Sequence, residues 1–190
     1  KAIIFDAYGT LFDVNSAAEK CKDKIGDKWE KFSNYWRTTQ LEYTWLRSLM
    51  GRHKDFWEIT EDSLEKSMEN FKINHLMKDE LLDLYKSLST FEEVPETLKV
   101  LKEKNYKLAI LSNGTPHLLN GLVKSNKLEN LFDDLFSIEE VGIYKPDAKV
   151  YGMPTKKYNI KVNEVAFLSA NTWDVSGGGN YGYNAIWVNR

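Results

Sequence analysis

The chain has one cysteine, Cys21, among 190 residues. A lone thiol excludes an internal disulfide and any zinc site built on cysteine pairs, and it fits a reducing, cytoplasmic setting. Histidine is scarce as well: His53, His75 and His117 lie far apart, without the short spacing of metal ligands. No apolar run is long enough to span a bilayer. An excess of one charge is also missing, with 26 Lys+Arg against 28 Asp+Glu and a net charge of −2. Neither nucleic acid nor an anionic membrane is therefore expected as a partner. Repeats and low-complexity linkers are absent. What remains is a globular composition, 42% hydrophobic and 28% charged, long enough for one good core or a core plus a small accessory domain. The chain opens inside a strand and stops just after one, so natural sequence is expected beyond both ends.

The most telling segment is the first. Ala2 to Phe5 is a short apolar run, suited to a buried parallel strand. Asp6 follows at its carboxyl end, Gly9 permits a tight turn, and Thr10 can hold the carboxylate by a hydrogen bond. Residues from about Asn15 to Leu88 read as helical. Trp29, Phe32, Trp36, Leu41, Tyr43, Trp45, Leu46 and Leu49 recur at roughly helical spacing and read as core between helices, and Gly51 stops that helix. Further helical stretches run from about Asp55 to Asn70 and from Lys78 to Ser87. Helix and strand then alternate. A helix opens at Pro95, Lys107 to Leu111 is a strand, and Thr115-Pro116 caps a helix. A short strand covers Asp134 to Ser137, and a helix starts near Ala148. Val165 to Leu168 and Asn184 to Val188 supply two more strands. This alternation predicts an α/β fold with a doubly wound parallel sheet. The core comprises residues 1–13 and 92–190, and residues 14–91 form a helical cap inserted after the first strand, as a lid over Asp6.

In a parallel sheet all strand ends open on one crevice. Asp6, then Ser112-Asn113-Gly114, then Lys145, then Ser169 to Asp174 stand at or after successive strand ends. A carboxylate, a hydroxyl, an ammonium and a second carboxylate thus converge.

These residues carry a resemblance to the haloacid dehalogenase superfamily, with its Rossmann-like core. The segments are Phe5-Asp6-Ala7-Tyr8-Gly9-Thr10-Leu11-Phe12-Asp13, Leu111-Ser112-Asn113-Gly114, Gly142-Ile143-Tyr144-Lys145-Pro146-Asp147, and Ser169 to Asp174. The chain looks like the L-2-haloacid dehalogenase branch because of Tyr8, the segment Tyr35 to Arg47, and Ser169-Ala170-Asn171-Thr172-Trp173-Asp174. The superfamily's phosphatases place a second Asp where Tyr8 stands, to protonate a leaving alcohol, and use Mg²⁺ to neutralise phosphate charge. Tyr cannot replace that carboxylate at neutral pH. A halide leaving group needs no proton, only a cradle of cations and N–H donors.

The resemblance implies that Asp6 attacks Cα of a 2-haloalkanoate and forms an ester. Arg37, Asn113 and Trp173 would receive the halide, and Asp174, oriented with Asn171, would activate water. Lys145 would keep Asp6 ionised in the place of a metal, while Thr10 and Ser169 position the carboxylates. Ser112 and N–H groups near Tyr8 would hold the substrate carboxylate, Tyr151 would join the network, and Leu41 and Phe56 would wall the pocket. No metal and no cofactor are expected, and the implied partners are a small haloacid and a second copy in a homodimer. Thr38, beside Arg37, departs from the longer polar side chain that the resemblance implies. The alternatives are an Mg²⁺-dependent phosphomonoesterase of the same superfamily and a non-catalytic binding module.

Two segments resist the pattern. Gly177-Gly178-Gly179 stands where the first turns of a helix are expected, and each glycine costs about 1 kcal/mol there against alanine, which leaves a loop as the alternative. Pro154 is tolerated in a first turn and otherwise kinks a helix.

Overall fold

The computed structural model describes all residues, 1–190. The elements in chain order are β1 (Ala2–Phe5), α1 (Ser16–Lys20), α2 (Lys22–Ile25), α3 (Trp29–Met50), α4 (Phe56–Phe71), α5 (Lys78–Tyr85), α6 (Val94–Glu103), β2 (Lys107–Ser112), α7 (Pro116–Ser125), β3 (Asp134–Ser137), α8 (Ala148–Tyr158), β4 (Val165–Ser169), α9 (Thr172–Tyr181) and β5 (Asn184–Trp187). They fall into two compact units, Lys1–Asp13 with Thr90–Arg190, and Val14–Ser89. Thr90 and Phe91 go with the first unit because Thr90 bridges Phe12 and the Phe91 N–H donates to the Leu11 carbonyl.

The first unit is a five-stranded sheet in the order β3-β2-β1-β4-β5, with every neighbouring pair parallel. The apolar runs of its central strands reflect burial on both faces: Ile4, Leu108, Ala109, Ile110, Leu111, Val165 and Phe167 are buried. The order reverses between β1 and β4, which is where a crevice opens at the carboxyl ends of such sheets. Phe5 is in register with Leu168, so Asp6 and Ser169 emerge side by side. Helices α7 and α8 start on side-chain caps that satisfy otherwise orphaned N–H groups. Thr115 Oγ1 accepts from the Leu118 N–H at 3.3 Å, and Asp147 Oδ1 accepts from the Lys149 N–H at 2.8 Å.

The second unit is helical. Helix α4 opens on a reciprocal cap in which Asp55 Oδ1 accepts from the Glu58 N–H at 2.9 Å and Glu58 Oε2 from the Asp55 N–H at 3.4 Å. Helix α3 ends at Gly51, whose φ of 61° lies in the left-handed region, with the Arg52 N–H returning to the Arg47 carbonyl. Phe32 and Trp36 on α3 meet Phe71 and Tyr85 respectively, with ring centroids 6.0 and 5.2 Å apart. The aromatic stripe is therefore core at its amino-terminal half only: Leu46 and Leu49, in the same helical register, are exposed.

The glycine run is not a loop. Gly177, Gly178 and Gly179 all lie inside α9. The reason lies in the neighbours: a Cβ on Gly177 would stand 2.4 Å from Tyr151 Oη, and one on Gly178 would stand 2.6 Å from the Phe167 ring. Close approach of α9 to the sheet and to α8 offsets the propensity cost. Pro154 likewise lies within α8, beyond its first turn and buried, where it withholds the N–H that the Val150 carbonyl would accept.

Candidate active site

Asp6 leaves β1 with its backbone still in the sheet ladder, the N–H donating to the Leu168 carbonyl at 2.9 Å. Its Oδ2 accepts from Thr10 Oγ1 at 2.9 Å, Asn171 Nδ2 at 2.7 Å and Ser169 Oγ at 3.3 Å. These donors are positioned in turn. Thr10 Oγ1 accepts from the Ala170 N–H, Ser169 Oγ from the Asn171 N–H, and Asn171 Nδ2 also donates to the Tyr8 carbonyl. The carboxylate is thus oriented by the β1 turn and the β4 end together.

Lys145 is fully buried and bridges two carboxylates. Its Nζ lies 3.1 Å from Asp6 Oδ1 and 2.9 Å from Asp174 Oδ2, and 5.2 Å from the centre of the Phe167 ring. Burial works to lower the lysine pKa, but the Asp174 and Asp6 charges more than offset it and hold the ammonium above its ordinary value. Asp174, in the first turn of α9, is pushed up to about 6 by burial, against the pull of Lys145, and the Asp6 charge adds to the rise. Tyr151 Oη donates to Asp174 Oδ1 at 2.7 Å. Burial and the adjacent Asp174 hold this phenol well above its usual range, so it stays a donor. Tyr151 is braced by the Tyr183 hydroxyl, which donates to its backbone carbonyl.

The remaining expected residues of this unit stand around the cluster. Asn113 Oδ1 accepts from the Lys145 backbone N–H at 3.1 Å, so this side chain anchors the loop that carries the ammonium. Ser112 Oγ, at the end of β2, accepts from the Gly114 N–H at 3.0 Å. Tyr8 is buried with its ring against Gly114, where a Cβ would come within 2.8 Å of Cε2. Trp173, in the first turn of α9, is half-buried. Asp6, Thr10, Lys145, Tyr151, Ser169, Asn171 and Asp174 form one connected network; Ser112, Asn113 and Tyr8 line the β2 end beside it.

The ammonium of Lys145 lies between the two carboxylates, position 8 offers a phenol, and no group of three or more His, Cys, Asp or Glu side chains converges.

In the helical unit, Arg37 Nη1 donates to Gln40 Oε1 at 2.8 Å, one turn along α3. Gln40 Nε2 donates to Thr60 Oγ1 at 2.7 Å and to Tyr85 Oη at 3.0 Å. Burial raises the Tyr85 pKa and Arg37 opposes that rise. Leu41 is half-buried and Phe56 fully buried in the same unit. The sequence reading missed Gln40 and Tyr85; the signal was the i, i+3 placement of Gln40 relative to Arg37. It also missed Gly177, since a glycine's neighbours are invisible in a sequence.

A carboxylate at the first strand's end, a buried lysine and a second carboxylate after the fourth strand thus meet at one edge of a parallel sheet. The haloacid dehalogenase-like hydrolase model matches residues 1–182, and the chain belongs to that family. It is 41% identical to (S)-2-haloacid dehalogenase 1 of Pseudomonas sp. (strain CBS-3) over 192 residues, spanning 100% of this chain and 85% of that one. It is 40% identical to (S)-2-haloacid dehalogenase 4A of Burkholderia cepacia, across 100% and 83% of the two chains. The structure of L-2-haloacid dehalogenase from Xanthobacter autotrophicus with chloropropionic acid covalently bound superposes with a TM-score of 0.92 at 34% identity, covering 100% of this chain and 78% of that one.

Proposed function

We propose that this enzyme hydrolyses (S)-2-haloalkanoic acids to 2-hydroxy acids. The observation that carries the reading is the Lys145 ammonium set 3.1 Å from Asp6 and 2.9 Å from Asp174, in a chain with Tyr at position 8. That arrangement has a nucleophile, a fixed cation and a base, but no carboxyl group at position 8 to protonate a leaving group in the first step.

In the first step a carboxylate oxygen of Asp6 forms a bond to Cα from the side opposite the halogen. The carbon–halogen bond breaks and the halide leaves with its electron pair. Rear attack inverts the carbon. Thr10, Ser169 and Asn171 hold the carboxylate so that little reorganisation precedes attack. We assign the halide to Arg37, Asn113 and Trp173, the substrate carboxylate to Ser112 and N–H groups near Tyr8, and apolar walls to Leu41 and Phe56; these roles rest on the family resemblance. In the second step water adds to Cγ of the Asp6 ester and its proton passes to Asp174; the Cγ–O bond to the substrate then breaks, and the departing alkoxide takes that proton back from Asp174, which frees the 2-hydroxy acid and regenerates the Asp6 carboxylate. A carboxyl group with a pKa of about 6 is mostly ionised at neutral pH and well placed to act as a base. Lys145 and Tyr151 hold it in position.

The test is halide release from L-2-chloropropionate, joined to a single turnover in heavy-oxygen water. Label is expected in the Asp6 peptide. Phosphate release from aryl phosphates without halide release overturns the reading. On the family resemblance we also propose a homodimer and a cytoplasmic location, which light scattering and cell fractionation test; no helix is long and apolar enough to cross a membrane.

A further inference from the structure

Helix α9 carries the base and also presents a bare backbone to the residues that hold it. One turn after Asp174, Gly177 faces Tyr151 and Pro146. A Cβ there would stand 2.4 Å from Tyr151 Oη, 2.9 Å from Cζ and 2.8 Å from Pro146 Cβ. Neither neighbour can swing away. Pro146 is a ring in the backbone next to Lys145. Tyr151 is fully buried, edge-on to Phe167 and Tyr183 with ring centroids 5.7 and 6.3 Å away, and tied at its carbonyl by the Tyr183 hydroxyl. An added methyl group therefore has to push α9 off the Lys145 loop or push the Tyr151 hydroxyl off Asp174. Gly178 meets a different neighbour, the Phe167 ring, and Gly179 meets only Ala185 Cβ at an ordinary 3.6 Å.

The geometry points to Gly177 as a positioning residue for ester hydrolysis: its missing side chain admits the Tyr151 hydroxyl to Asp174 and so sets the protonation of the base. This inference rests on Asp174 acting as that base. The charged and titratable groups facing Asp174 are Lys145, Asp6 and Tyr151. The Tyr151 hydrogen bond favours the ionised carboxylate, so loosening it makes the carboxyl harder to ionise.

The experiment is the pH profile of halide release and of 2-hydroxy acid formation for wild type, Gly177→Ala, Tyr151→Phe, the double variant and Gly178→Ala. For Gly177→Ala the acid limb of ester hydrolysis moves up by roughly one pH unit, with a larger loss in kcat than in KM, and Tyr151→Phe moves it similarly. The double variant moves it no further than Tyr151→Phe, because the hydroxyl that the added methyl group would displace from Asp174 is already absent. Gly178→Ala lowers thermal stability and leaves the acid limb in place. If Gly177→Ala does not fold, Tyr151→Phe carries the test through its own acid limb. An unmoved limb in Gly177→Ala or in Tyr151→Phe, or additive shifts in the double variant, overturns the inference. A wild type that releases no halide overturns the dehalogenase reading instead, a distinct result.

Discussion

At the ends of β1 and β4 the core unit buries charge against charge, with Lys145 between Asp6 and Asp174. On α3 the helical unit sets Arg37 at the head of a neutral chain of Gln40, Thr60 and Tyr85. The first arrangement is all or nothing, because losing one partner leaves an uncompensated charge out of water. The second is graded, because each amide or hydroxyl contributes a bond of ordinary strength.

The largest expected effect strikes the charged cluster. Asp6→Asn removes the nucleophile, and turnover falls by roughly 10⁴-fold or more, read with a chloride electrode; a modest loss would break the comparison at its root. Lys145→Met leaves two buried carboxylates facing each other. A loss of about 3–5 kcal/mol in urea unfolding is expected. A neutral result would mean that the cluster is not all or nothing.

The pH dependence of stability sharpens the same point. Asp174 rises from 3.8 to about 6 on folding, so the folded state holds its proton more tightly. Its favourable contribution is complete below pH 3.8 and is lost as pH rises through about 6. Wild type therefore loses stability relative to Asp174→Asn across that window; a constant difference between the two counts against the shift. In the neutral chain, Gln40→Leu costs roughly 1–3 kcal/mol and leaves the acid limb of turnover where it was. The smallest effect has the opposite sign. Gly179→Ala, with room for its methyl group, stabilises by up to about 1 kcal/mol, seen as a rise in Tm.

The sheet and its strand ends were legible because their signals are local. An apolar run ending in Asp6, or Val165 to Leu168 ending in Ser169, declares both the strand and what it delivers. Pairing across the sequence was less visible. Nothing near Gln40 indicates Tyr85, 45 residues away, and helical spacing alone does not separate buried Trp36 from exposed Leu49. The glycine run misleads for the same reason. Its propensity cost can be read from the residues, but the Tyr151 hydroxyl and Phe167 ring that require it come from other elements. Asn113 was read as a halide donor; that its oxygen also anchors the Lys145 backbone depends on a loop 32 residues on.

The ladder between β1 and β4 pairs Phe5 with Leu168, and the next residues on each strand are Asp6 and Ser169. Successive side chains on a strand point to opposite faces, so a slip of one step would turn Asp6 away from its partners while keeping the same number of backbone bonds. The sheet therefore works as a measuring stick for the chemistry. An inserted residue in β1 would be nearly silent in a secondary-structure spectrum and ruinous for turnover.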